Sequence, residues 1–404
     1  MPDTVIVVTH AMLQGYGGFR NIAERIGAMK ALGFDIAVVH AGLEGTAERL
    51  DELGARQHPL PGLFDDSAAS RLSPSRRRRH RADSERFLKL IEEVGPRAVM
   101  VHGQRPVKPY QAAQKLAPLF FFRHDGTMAC PAGSRVTEPG RRKCGIEVGC
   151  RCLANQCWGD SNSLRKAGLV VRRRRDLRRL RRLRNVVVSS RYLARIHGLP
   201  DAEVQYPPLR KPEELPPRAP PEDRVECRIV FVGRLERNKG AGELIPIMRL
   251  LPNDYSLVIV GDGPERSALE EQADELVQSV KFRGWQPSEG VFREMLRAQV
   301  SLVPSMWDEG FGIIGPESFA CGTPVVAYDA GGISEWCVQP SGILVPHGDR
   351  RAAAQAIRTI CEELEGPVWA ERSEVARKTA HEEFDYGRFV ADIKSMLDRA
   401  EARR

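Results

Sequence analysis

The sequence has 404 residues, 42% hydrophobic and 28% charged, with a formal net charge of +8. At roughly 100–200 residues per domain, that is enough for two or three domains with sizeable cores, and the composition excludes a wholly disordered chain. The longest apolar runs, residues 5–8 and 119–122, fall far below the roughly 20 residues of a membrane span, and the start MPDTVIVVTH lacks the basic stretch and cleavage site of a secretory leader, so a cytoplasmic protein is expected.

An apolar strand over 5–9 leads into the turn Gly15-Tyr16-Gly17-Gly18. A helix follows, with Ile22, Ile26, Met29 and Leu32 at three- and four-residue steps, ending at Gly33 before a strand over 36–40. This strand–helix–strand rhythm predicts a parallel sheet with right-handed crossovers. It continues as helix 87–94, strand 98–102, helix 110–116, strand 119–123, a basic helix, strand 186–189 and a short helix over 192–197. Seven of the fifteen residues from Pro207 to Pro221 are prolines, which predicts an extended linker. The α/β rhythm restarts with strands over 229–232, 257–260, 300–303, 324–327 and 342–345, and a last helix carries Phe389, Ile393, Met396 and Leu397 on one face. The expected fold is α/β, with two doubly wound Rossmann-like domains whose ligands sit at the carboxyl ends of the strands.

The positive charge is local. Residues 165–184 hold eleven Lys or Arg and one acid, Asp176, and the rest of the chain has 50 basic and 52 acidic residues. A nucleic-acid reading from net charge alone is therefore premature. Leu177, Leu180 and Leu183 give this segment an apolar stripe among arginines, the pattern of a helix lying on anionic lipid; the alternative is a solvated Arg-rich helix.

Strand 229–232 runs into Gly233-Arg234-Leu235-Glu236-Arg237-Asn238-Lys239-Gly240. An Arg fork and a Lys point charge on one glycine-bracketed turn can converge on a diphosphate. Further on, Glu309 and Glu317 enclose seven residues that include Gly310, Phe311 and Gly312, and Pro316 suits the first position of a helix. A carboxylate there accepts hydroxyl hydrogen bonds. These segments, with Gly17-Gly18, His124-Asp125, Gly261-Asp262-Gly263-Pro264, Gly331-Gly332, Glu335 and Gly348-Asp349 in that order, resemble the Glu-x7-Glu motif set of retaining GT-B glycosyltransferases of family 4 (glycosyl transferases group 1). The chain departs from the usual Glu-Ala-Met-Ala after the second glutamate, reading Glu317-Ser318-Phe319-Ala320.

The resemblance implies two Rossmann-like domains facing across a cleft: residues 1–206 on the acceptor side, a linker over 207–224, residues 225–382 binding the nucleotide-sugar donor, and a helix over 383–404 returning to the first domain. It implies that Arg234 and Lys239 hold the donor diphosphate, that Glu317 binds the ribose, and that Glu309 with the Gly310, Phe311 and Gly312 backbone holds the donor sugar. Gly233 belongs to the diphosphate turn, Gly17 and Gly18 would meet the diphosphate from the first domain, and His124 would approach the sugar; the alternative for His124 is a structural histidine. Gly284 falls where the family's backbone meets the nucleobase, and Trp285 beside it could equally be a packing residue. No Asp-x-Asp occurs, so Arg234 and Lys239 would supply the charge that a metal gives other glycosyltransferases, with no cofactor for catalysis and transfer with retention to a hydroxyl acceptor.

Cys130, Cys144, Cys150, Cys152 and Cys157 crowd the loop 130–157, in the first domain. Their spacing admits a structural zinc, an iron–sulfur cluster or simple thiols. Cys227, Cys321, Cys337 and Cys361 lie in strand or helix patterns and are expected to be buried. The expected partners are a nucleotide-sugar donor, a hydroxyl acceptor and, through residues 165–184, the anionic inner face of the cell membrane. Two other readings stay open, a nucleic-acid-binding protein and an inactive GT-B scaffold; the basic runs carry no interleaved aromatics to stack bases.

Overall fold

The computed structural model describes residues 3–10, 17–43, 45–64, 73–102, 108–132, 135–137, 142–154, 157, 163–210, 228–364 and 367–401. The chain divides into two compact units. Unit 1 comprises Met1–Pro131, Ala167–Pro208 and Gly387–Arg404; unit 2 comprises Ala132–Lys166 and Leu209–Tyr386.

Unit 1 is built on a parallel sheet of β1 (Thr4–Thr9), β2 (Asp35–His40), β3 (Arg56–Pro59), β4 (Ala98–His102) and β5 (Leu119–Arg123). β6 (Val136–Thr137) and β7 (Arg142–Lys143) form a separate antiparallel pair in unit 2. β8 (Asn185–Val188) and β9 (Glu203–Val204) complete the first sheet, whose order is β3-β2-β1-β4-β5-β8-β9. Val5 to Val8 and Ala98 to Val101 are wholly buried, as expected of central parallel strands covered on both faces. The order reverses between β1 and β4, and at such a switch point a crevice opens beyond the carboxyl ends.

Two helices of unit 1 differ from expectation. The helix Pro74–Val94 starts thirteen residues before the expected 87, with Ser73 accepting a hydrogen bond from the Arg76 amide and Pro74 at the first position. Its opening turns, Arg76 to Arg79 and Arg81, are exposed and carry no apolar period, so only the cap marked the start. In the helix Ser163–Leu180, Leu177 and Leu180 are buried, as is Leu183 just beyond it. The stripe expected to face lipid is core, and the surface it leaves outside is Arg174, Arg178, Arg181, Arg182 and Arg184.

The helix Tyr386–Glu401 buries Phe389, Ile393, Met396 and Leu397 in unit 1. Arg97 holds its end, donating to the Leu397 carbonyl and pairing with Asp398 and Glu401. Arg399 forks onto both oxygens of Glu203 at 2.7 and 2.8 Å.

Unit 2 contains β10 (Arg228–Val232), β11 (Ser256–Val260), β12 (Ser279–Gly284), β13 (Val300–Val303), β14 (Val325–Tyr328) and β15 (Gly342–Val345), all parallel, in the order β12-β11-β10-β13-β14-β15. Alternate residues serve two cores: Ile229, Phe231, Leu257 and Ile259 meet Leu244, Ile357 and Trp369, while Val230, Val258 and Val260 meet Phe292 and Met295. Here the order reverses between β10 and β13.

The loop 130–157 was expected in the first domain, yet from Ala132 onward it groups with unit 2. Ion pairs explain this: Arg135 Nε lies 3.2 Å from Asp308, and Lys143 Nζ lies 2.6 Å from Asp329. Of the expected linker, residues 211–224 lie outside the described residues, and Leu209 is buried with its amide bonded to the Phe384 carbonyl at 2.8 Å.

The burial of the last helix makes a stability prediction. Ile393→Ala removes a fully buried side chain and should lower the unfolding free energy by about 2–5 kcal/mol, read by urea denaturation. An unchanged midpoint would remove this helix from the unit 1 core.

Candidate functional site

In unit 2 the segments after β10 and β13, which flank the reversal of strand order, carry the expected residues. The turn after β10 is clamped by the turn after β11: the Gly233 amide bonds the Val260 carbonyl and the Leu235 amide bonds the Asp262 carbonyl, at 3.0 and 2.9 Å. Gly261 permits this contact, since a Cβ there would lie 1.9 Å from the Gly233 carbonyl oxygen. At the end of the turn Gly240 has φ +74°, and a Cβ would lie 1.8 Å from the Pro304 oxygen, so only glycine lets the two segments meet.

That contact delivers Lys239 to Glu309. Lys239 Nζ stands 2.7 Å from Glu309 Oε1 and 5.5 Å from the centre of the Trp307 ring, and Ser305 Oγ donates to the same carboxylate oxygen at 2.9 Å. Burial opposes ionisation of Glu309, but the Lys239 charge and hydrogen bonds from Lys239 and Ser305 outweigh it and hold the carboxyl below its ordinary range. Arg234, on the same turn, is half exposed with Nη2 3.4 Å from Glu236.

The Gly310-Phe311-Gly312 turn is pinned from behind. Trp336 Nε1 donates to the Phe311 carbonyl at 2.7 Å, and the Gly332 amide donates to the Glu309 carbonyl at 2.9 Å. The following helix, Ile314–Ala320, starts two residues earlier than Pro316, and Glu317 still lies in its first turn. Glu317 is buried, with Arg210 Nε 3.6 Å from Oε1. Glu309 and Glu317 thus offer oxygens beside two cations, a set able to grip a ligand with both hydroxyl and phosphate groups. Trp285 is 69% exposed and does not belong to the core of unit 2 among the described residues.

In unit 1, Gly17 and Gly18 open the helix Gly17–Ala31 that follows β1; Gly15 and Tyr16 lie outside the described residues. His124 follows β5. Burial first, then the nearby Arg25 and Arg123 charges, lower its pKa to about 3, so it stands as a neutral hydrogen-bonding ring at physiological pH. Asp125 is held at about 2: burial would raise it, but the Arg123 guanidinium at 2.6 Å and two hydrogen bonds from Thr127 prevail.

The five crowded cysteines differ in burial. Cys130 and Cys152 are buried, Cys144 and Cys157 half-buried and Cys150 exposed, and among the described residues no three His, Cys, Asp or Glu gather as metal ligands. Cys321, Cys337 and Cys361 are buried as expected; Cys227 lies outside the described residues. Sequence reasoning missed Arg135, Arg210 and Trp336 around the unit 2 residues, and His102 beside His124 in unit 1. Only His102 carried a signal, as a polar residue closing an apolar strand.

Residues 226–363 match the family model described as Glycosyl transferases group 1. The chain is 32% identical over 180 residues to phosphatidyl-myo-inositol mannosyltransferase of Mycobacterium leprae, covering 43% of this chain and 47% of that protein. It is 31% identical over 198 residues to the lipopolysaccharide core biosynthesis glycosyltransferase LpsD of Rhizobium meliloti, covering 46% and 55%. The matched stretch spans about half the length of these curated relatives. Among solved structures, Anabaena HepE in complex with UDP-glucose superposes with TM-score 0.69 at 17% identity over 98% of this chain and 99% of that one. A glycosyltransferase from Rickettsia africae reaches TM-score 0.71 at 15% identity, covering 99% and 98%. The fold is that of the GT-B glycosyltransferases.

The electrostatics of Glu309 predict a pH signature. Its depressed pKa contributes stability that is present above pH about 4.5 and lost as pH falls. Lys239→Met should therefore cost about 1–3 kcal/mol near neutral pH, with the deficit closing on acidification through that range, as measured by denaturant titration at several pH values. A deficit independent of pH would assign the loss to packing.

Proposed function

We propose that this protein is a retaining glycosyltransferase that moves a sugar from a nucleotide-diphosphate-sugar donor to a hydroxyl acceptor. The observation that carries the reading is the Lys239–Glu309 pair, which joins a cationic turn to a glycine-rich carboxylate turn at the strand-order reversal of unit 2. The group 1 match over 226–363 and the GT-B fold support it.

In this reading Arg234 and Lys239 take the donor diphosphate. As the glycosidic bond breaks, negative charge builds on the leaving diphosphate, and two preplaced cations stabilise it more than they stabilise the ground state. Lys239 exchanges its contact with one Glu309 oxygen for a phosphate oxygen, and Glu309, still bonded by Ser305, turns its freed capacity to hydroxyls of the donor sugar. Glu317 accepts from the ribose. Gly18, at the start of its helix, offers an amide to the diphosphate, and His124, uncharged, hydrogen-bonds the sugar without repelling a developing positive charge on its ring. The chain's own residues supply the charge that a divalent ion would otherwise bring.

The exposed arginines of helices Pro74–Val94 and Ser163–Leu180 support an electrostatic contact of unit 1 with an anionic membrane surface, close to where a lipid or glycan acceptor would be met. With the leucines buried, such a contact has no apolar anchor in these helices and should weaken steeply with salt.

The test is a screen of nucleotide sugars with product analysis by NMR. Arg234→Ala and Lys239→Ala should each lower kcat by about 100- to 1000-fold, as removal of a transition-state charge contact does. Glu317→Ala should raise the donor KM. A product of inverted anomeric configuration would refute retention, and wild-type rates in both cation variants would refute the site.

A further inference from the structure

At the carboxyl end of the unit 1 sheet, two neighbouring strands each deliver a histidine. β4 ends at His102 and β5 is followed by His124. The rings are nearly parallel, 8° apart with centroids 5.3 Å apart, and His102 Nδ1 lies 3.0 Å from His124 Nε2. His102 is held in turn by Phe122, stacked at 4.6 Å and 4°, and Arg25 covers the Phe122 ring at 4.0 Å. The His102 ring is thus fixed by packing as well as by its bond.

Counting nitrogens gives the pair a direction. Each neutral imidazole has one N–H and one lone pair, so a single hydrogen shared between the rings sets both tautomers together. The remaining nitrogens, His102 Nε2 and His124 Nδ1, are buried without a hydrogen-bond partner among the described residues. A buried polar atom left so is costly unless a ligand meets it. The charged groups around the pair are Arg25, Arg123 and Asp125, and burial with the Arg25 charge keeps both rings neutral.

We propose that His102 is a positioning residue: by occupying Nε2 of His124 it fixes that ring in one tautomer and leaves Nδ1 as the atom that bonds a hydroxyl of the bound sugar. A hydroxyl both donates and accepts, so either shared-proton arrangement serves, provided it is single. The assignment of the ligand as a sugar rests on the transferase reading above; the control of His124 by His102 does not.

Two substitutions separate the hydrogen bond from the packing. His102→Phe keeps a flat ring against Phe122 and loses the bond, whereas His102→Asn restores a polar atom near the place of Nδ1. With histidines labelled in nitrogen-15, the intact protein should show His124 as one neutral tautomer, His102→Phe a tautomer mixture, and His102→Asn a single form again. In transfer assays His102→Phe should lose about 10- to 100-fold in kcat, the scale of a misplaced contact group, with binding of the nucleoside diphosphate and thermal stability near wild type. His102→Asn should recover most of that loss. A His124 spectrum unchanged in His102→Phe would overturn the proposal, as would a wild-type kcat in that variant. If no nucleotide sugar supports transfer, the transferase reading fails, and the nitrogen spectra alone still decide whether His102 controls His124.

Discussion

A carboxylate buried at the end of a parallel sheet is unstable unless a cation reaches it, and that constraint organises unit 2. Desolvating a carboxylate costs several kcal/mol, and Glu309 is compensated by the Lys239 charge and by hydrogen bonds from Lys239 and Ser305. Lys239 arrives from the turn after β10, and Glu309 and Ser305 from the segment after β13. The pair therefore exists only if β10 and β13 are neighbours, which is the reversal in strand order. Lys239 remains about a third exposed, so its charge stays available to an incoming anion.

The same constraint explains the arginines that gather around the site. Asp308 and Asp329 lie on either side of the bridge between Glu309 and Gly331, and each is neutralised by the inserted segment, through Arg135 and Lys143. Arg135 also donates to the Cys144 carbonyl, which carries the order of the segment towards its cysteines. The insertion is thus part of the charge balance of unit 2, a physical reason for it to leave the unit that precedes it in sequence.

The fold was legible because its central strands are continuous apolar runs. Val5 to Val8 and Leu257 to Val260 can be buried only between two helix layers, and the spacing between such runs implies crossovers. Glu309 and Glu317 were legible because a fixed spacing with glycines between is rare. What escaped was decided by partners far along the chain. Nothing about Arg135 shows that it will meet Asp308, 173 residues away. The leucines of the Arg-rich segment show the opposite failure: a genuine stripe left a lipid-facing and a solvated helix both open, because periodicity reports that one face is apolar, not what covers it. Leu177, Leu180 and Leu183 are covered by the protein itself.

The two units meet their ligand-facing demands by opposite means. Unit 2 keeps charge near its switch point and balances it, while unit 1 keeps its two histidines neutral. Neutrality there is set first by burial and reinforced by Arg25, a buried cation whose own pKa is pulled to about 9 by burial and which is bonded to Gln205 and Asn21. A guanidinium is still protonated at that value, so it repels a proton from either imidazole throughout the physiological range. Arg25 beside the histidines and Lys239 beside Glu309 thus act in the same sense: each cation favours the less protonated form of its neighbour, the neutral ring in one case and the carboxylate in the other.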